Sequence, residues 1–157
     1  MINAIAKPVS PPAMPPQRTK PLLPLRAVVA LLDKSTSEVL ERIENGGLLW
    51  CWDVALNRKD GRKRELRILP ACVADYLRGQ PCRLGWAQVL SLLLPDEKPA
   101  LLSQEVARLL NVSGTHLYHL VLRKVLIAGS AWRRGPGGCA RITTESFIGF
   151  LKARRVV

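Results

Sequence analysis

Between residues 102 and 124 the chain reads LSQEVARLLNVSGTHLYHLVLRK, and its apolar positions fall into two runs at helical spacing. Val106, Leu109 and Leu110 mark one face of a short helix that Ser103 is placed to N-cap, and Asn111 with Ser113 supplies a break and the next N-cap. Leu117, Leu120 and Val121 carry the apolar face onto a second helix. At about 100° per residue from Leu117, the opposite face holds Thr115, His116, His119 and Arg123, followed by Lys124, all able to bond base edges or phosphates. Two short helices at a sharp turn with such a face have the pattern of a helix-turn-helix; a helical hairpin packed in a core would read alike.

The first half of the chain shows the same order. From Leu25 an apolar helical run meets Asp33-Lys34-Ser35, a second helix turns Val39, Leu40 and Ile43 inward, and Gly46-Gly47 stops it. Residues 48–54 are rich in aromatic and β-branched side chains and predict a strand, with 66–69 as its returning partner. The turn between them, NRKDGRKRE, carries Arg58, Lys59, Arg62, Lys63 and Arg64 against Asp60 and Glu65, with Asp60-Gly61 as the hairpin signal. Pro70 suits the first turn of a closing helix that faces Val73, Tyr76 and Leu77 inward.

Setting Ser35 against Ser113, an offset of 78 residues, pairs Val28 with Val106, Leu31 with Leu109, Leu32 with Leu110, Asp33 with Asn111 and Val39 with Leu117. The closing helices match at an offset of 74, Pro70 with Thr144, so that Phe147, Phe150 and Leu151 answer Val73, Tyr76 and Leu77. Residues 126–132, 133–138 and 140–142 stand for the strand, turn and returning strand of the second copy. Two concordant series across helix, helix, hairpin and helix predict an internal duplication.

Seven prolines in residues 1–24, at 8, 11, 12, 15, 16, 21 and 24, deny that stretch the donors of a helix or central strand and predict a tether, with groove-binding as a second use. Between the copies, GWAQVLSLLL places Trp86, Val89, Leu90 and Leu93 on one helical face, a connecting helix that packs on the second copy or supplies a dimer surface.

Charge narrows the partner. Of 157 residues, 24 are Lys or Arg and 12 are Asp or Glu, a net +12 that calls for a polyanion. No apolar run approaches the roughly 18 residues that span a bilayer, which favours nucleic acid over a membrane. The four cysteines, at 51, 72, 82 and 139, include no CxxC pair. They read as reduced packing residues, and with no signal-peptide segment at the N-terminus they place the chain in the cytoplasm, associated with a bacterial or phage nucleoid.

At this point LLSQEVARLLNVSGTHLYHLV resembles the opening of the excisionase and MerR-like winged-helix family of DNA-binding domains, in which x-S-x-E-V-A-x-L-L-x-V-S leads into the recognition helix. AWRRGPGGCARITTESFIGFL is similar to that family's basic wing and closing helix. The resemblance covers residues 102–151 well and 25–78 more loosely. It implies a second helix in the major groove and a wing against backbone or minor groove. Those roles fall on Ser113, Thr115, His116, His119, Arg123 and the adjoining Lys124, and for the wing on Arg133, Arg134 and Arg141. In the first copy the wing role falls on Arg58, Lys59, Arg62, Lys63 and Arg64. Its helix departs from the pattern, because Glu38, Glu41 and Glu44 occupy the surface meant for phosphates, leaving Ser35, Ser37, Arg42 and Asn45 as contacts.

Other chemistry lacks a motif. His116 and His119 have no third ligand nearby in sequence, so no metal is expected. Gly135-Pro136-Gly137-Gly138 lacks the Lys and Ser or Thr of a nucleotide loop and suits a wing tip. No GxSxG, HExxH or paired-carboxylate motif points to an enzyme, no cofactor is implied, and the tryptophans suit the core better than base stacking. The expectation is a mainly α fold with small β-hairpins (α+β): a tether over 1–24, winged helix-turn-helix domains over 25–79 and 100–157, and a linker with a connecting helix over 80–99. The expected function is double-stranded DNA binding by a sequence-specific transcription regulator or a recombination accessory factor. The alternative is an adaptor that recruits a partner enzyme to DNA through the proline-rich N-terminus, the acidic helix of the first copy or the connecting helix.

Overall fold

The structure, a computed structural model, describes residues 19–56, 64–129 and 141–156, and within them the fold is α+β. The first half opens with a short strand β1 (Leu23–Pro24) running straight into α1 (Leu25–Leu32), which ends where Asp33 turns left-handed at φ 50°. Ser35 caps α2 (Thr36–Glu44) in a reciprocal box: its hydroxyl accepts from the Glu38 amide at 3.2 Å, and its own amide donates to the Glu38 carboxylate at 2.8 Å. Those bonds hold the Glu38 carboxyl below its ordinary range. After Gly46, at φ 76°, come β2 (Cys51–Asp53), β3 (Leu66–Ile68) and α3 (Pro70–Leu77), with proline at the first turn. The sheet order is β1-β3-β2, antiparallel throughout.

A connecting helix α4 (Trp86–Leu93) leads to the second half: β4 (Ala100–Leu102), α5 (Ser103–Leu110), α6 (Gly114–Leu122), β5 (Arg141–Thr143) and α7 (Thr144–Arg154). The backbone repeats itself in detail. Asn111 matches Asp33 in the left-handed region at φ 52°, Lys124 matches Gly46 at φ 55°, and the Ser113 hydroxyl caps the His116 amide as Ser35 caps Glu38. Strand pairing repeats too, Leu23 with Ile68 and Pro24 with Arg67 against Leu101 with Ile142 and Leu102 with Arg141.

Four expectations need correction. Ser103 is the first residue of α5 rather than its cap, because β4 feeds the helix directly and the Glu105 carboxylate takes the Leu102 amide at 2.9 Å. The stretch ending at residue 24 is not all tether: Leu22 is fully buried and its amide donates to the Leu109 carbonyl at 2.8 Å, while Pro24 sits in an edge strand where a missing donor costs little. Of the strand expected over 126–132, the described part is one bridge, Ala128 to Ile142; residues 130–132 lie outside the described residues. Cys72 and Cys82 are not reduced packing residues but form a disulfide, their Cα atoms 5.3 Å apart, because the chain leaving α3 doubles back over it. That removes the thiol argument for a cytoplasmic location. Among the described residues no helix is long and apolar enough to cross a membrane.

The bond closes a loop of ten residues. Cys72→Ser should lower stability by about 3 kcal/mol, from chain-entropy scaling, and non-reducing peptide mapping should recover the 72–82 link. Recovery of both as free thiols from protein purified without reductant would refute the pairing. Cys51, by contrast, is buried, and desolvation pushes its thiol up to about 12.

Two apolar clusters hold the fold. One belongs to the first half, around Val28, Val39, Ile43, Leu48 and Ile68. The other crosses both halves, joining Leu22, Trp50, Trp52, Val54 and Leu69 to Val89 and Leu93 of α4 and to Leu109, Leu110, Leu117, Phe147 and Leu151. The segment before α4 is fastened as well: the Trp50 indole donates to the Leu84 carbonyl at 2.9 Å and stacks on Trp86 at 5.7 Å. Residues 80–93 are therefore a packed junction.

Candidate nucleic-acid interface

Helix α6 is positioned by Leu117 and Leu120, both buried, and by the Ser113 cap. Thr115, Arg123 and Lys124 are exposed and His119 is half-buried, its ring edge-on to Tyr118 at 5.8 Å. Thr115, Tyr118, His119 and Leu122, at spacings of three and four, form the outward stripe. Tyr118 was not among the sequence candidates. Its place beside Thr115 on the helical wheel was the available signal.

His116 does not stand on that stripe. Its Nε2 lies 2.7 Å from the Val54 carbonyl of the first half, which can only accept, so this nitrogen carries the proton; Nδ1 faces the Glu65 carboxylate at 3.8 Å. The expected reading face is therefore split, with His116 turned into the junction. Arg123 lies at the border, its guanidinium donating to the Leu56 carbonyl at 3.4 Å.

The junction is built from groups that pattern reading passed over. Arg67 donates from β3 to the Leu110 and Asn111 carbonyls at 3.0 Å each, satisfying the C-terminus of α5, and burial pulls its pKa below the ordinary value. The Asn111 amide donates to the Leu22 carbonyl at 3.1 Å, and Arg108 donates to the backbone and hydroxyl of Thr19 at 2.8 and 2.7 Å. At the other side Arg154, buried, donates to the Ala55 carbonyl at 2.9 Å, and the Arg155 guanidinium lies over the Trp50 ring at 3.7 Å. Arginines that raise the net charge are thus partly consumed as fasteners.

Of the remaining candidates, Ser113 is a cap, as is Ser35, so both hydroxyls already accept a backbone amide. Arg141 is exposed on β5 opposite Leu102, and Arg64 is exposed at the end of the turn beside β3. On α2, Ser37, Glu38, Glu41, Glu44 and Asn45 are all exposed, and the Arg42 guanidinium rests over Tyr76 at 5.7 Å. Arg58, Lys59, Arg62, Lys63, Arg133 and Arg134 lie outside the described residues. Leu56, the last described residue before that basic stretch, accepts from Arg123.

Among the described residues, no group of three His, Cys, Asp or Glu side chains is arranged to hold a metal ion. Comparison with family profiles, curated proteins and solved structures finds no match. The functional reading rests on the residues themselves.

Proposed function

We propose that the chain binds double-stranded DNA through two winged helix-turn-helix units, the second reading sequence with α6 and the first bracing it. The observation that carries this reading is the outward stripe of α6, bordered by Arg123 and Lys124, in the half where cations most exceed anions. Residues 100–157 hold nine Lys and Arg against two Asp and Glu, whereas residues 25–79 hold ten against eight. Thr115 and His119 reach base edges, Arg123 and Lys124 meet guanine edges or phosphates, and the basic residues between 58 and 64 add phosphate contacts. A regulator of transcription and a recombination accessory factor both use this arrangement. A second reading is favoured by the exposed Glu38, Glu41 and Glu44, which repel phosphate and suit a protein partner on the first half.

A salt-titrated shift assay tests the proposal. Binding to random duplex should weaken steeply with salt, with a log–log slope of about −0.9 per phosphate contact, and at least one genomic fragment should bind more tightly at fixed salt. Replacing Arg62, Lys63 and Arg64 together should reduce the slope and weaken all sequences alike. Absence of binding at low salt, or a flat salt dependence, would leave the adaptor reading.

A further inference from the structure

The internal duplication leaves one interface half-used at each end of the molecule. Inside the chain, the outer face of the first sheet covers the groove between α5 and α7. Trp50, Trp52 and Leu22 share an apolar cluster with Leu109 and Leu151, and Arg67 donates to the carbonyls at the end of α5. The first half has the same groove between α1 and α3, open among the described residues. Leu31, the counterpart of Leu109, is 53% exposed where Leu109 is 4%, and Leu77, the counterpart of Leu151, is 57% exposed where Leu151 is fully buried.

The second half has the matching sheet face, also open among the described residues. Because Cys51 and Ala128 pair with equivalent partners, Ile68 and Ile142, Ile127 stands where Trp50 stands in the first half, and Leu102 stands where Pro24 does. Ile127 is 64% exposed and Leu102 is 42% exposed. Arg141 occupies the register position of Arg67 and is exposed. Four of the six exposed large apolar side chains among the described residues thus lie on the two unmatched members of an interface whose matched members are already joined within the chain.

We propose that a second copy of this chain fills each face: the sheet of the second half, around Leu102, Ile127 and Arg141, docks on the α1–α3 groove of the next copy, around Leu31 and Leu77. The charges fit. Arg67 finds the carbonyls beside neutral Asn111, whereas Arg141 would meet those beside Asp33, whose carboxylate adds attraction at the same corner. Such a contact is heterologous, so an assembly retains one free groove at one end and one free sheet at the other unless a ring closes. The inference rests on the repeat and its exposed residues and needs no DNA.

Sedimentation of the full chain across a concentration series tests it. The mass should rise with concentration, and Leu31→Glu with Leu77→Glu, or Leu102→Glu with Ile127→Glu, should each give a monomer with unchanged circular dichroism. An equimolar mixture of the two variants should form a heterodimer that grows no further, because one intact groove meets one intact sheet. Arg141→Glu should weaken association several-fold. Should either glutamate pair perturb folding, Leu31→Gln and Ile127→Thr make the same comparison. A chain that stays monomeric up to about 1 mM, association that depends on only one of the two faces, or a mixture that stays monomeric would each overturn the proposal.

Discussion

Trp52→Ala should destabilise both halves at once, by about 3–5 kcal/mol, the range for truncating a large buried aromatic. Trp52 is fully buried, stacks near Trp50 at 6.1 Å, and belongs to the cluster shared with α5, α6 and α7. Its removal opens a cavity walled by both halves, so neither can relax into it without the other moving. Set against a typical domain stability of about 5–15 kcal/mol, the loss is large. Urea unfolding followed by circular dichroism should remain one transition at a lower midpoint. Two separated transitions would show that the halves fold independently and that the common cluster does not couple them. Trp52→Phe is the control: the buried indole N–H has no hydrogen-bond partner among the described residues, so its loss orphans no acceptor there, and the cost should stay below about 1.5 kcal/mol.

On the proposed DNA function, Arg123→Ala and His119→Ala should each cost roughly 1–3 kcal/mol on the preferred site, a factor of about 10–100, and much less on random duplex. Both side chains leave α6 away from Leu117 and Leu120, so stability should change little. His116→Ala should behave differently. Removing the ring orphans the Val54 carbonyl at the junction, so the midpoint of unfolding should fall and any loss of binding should follow the loss of folded protein. Glu41→Ala, at the equivalent place on the first half, should leave preference unchanged and tighten non-specific binding by removing a repelling charge. Fluorescence anisotropy with matched specific and random duplexes separates these cases. If Glu41→Ala abolishes site preference while His119→Ala and Arg123→Ala preserve it, the first half is the reader and the assigned roles are reversed.

How far the chain could be read from its residues differs by feature. The helices were legible because each buries one stripe: Val28 and Leu32, Val39 and Ile43, Val106 and Leu110, Leu117 and Leu120 recur at helical spacing, and Ser35, Ser113 and Pro70 mark the starts. β1 and β4 were not, being two and three residues long and too short to show an alternation. The link between Cys72 and Cys82 was hidden for a related reason: no motif announces it, and only the return of the chain over α3 brings the two together.

The candidate site divides along the same line. A helical wheel shows which positions of α6 turn away from its own apolar stripe, and of those it grouped together Thr115 and Arg123 are exposed and His119 is half-buried. It cannot show what stands opposite, and so it grouped His116 with them although the first half supplies Val54 and Glu65 to its ring. Local periodicity, caps and the offsets of 78 and 74 residues determined the helices and their repetition, because those depend on neighbours within a few turns. Only the tertiary structure decided that the two halves share a core, that Arg67 and Arg154 are fasteners rather than free cations, and that Leu109 is covered while Leu31 is open. Those outcomes depend on contacts between residues scores of positions apart, and identical local patterns give opposite burial when one copy is docked and the other is not.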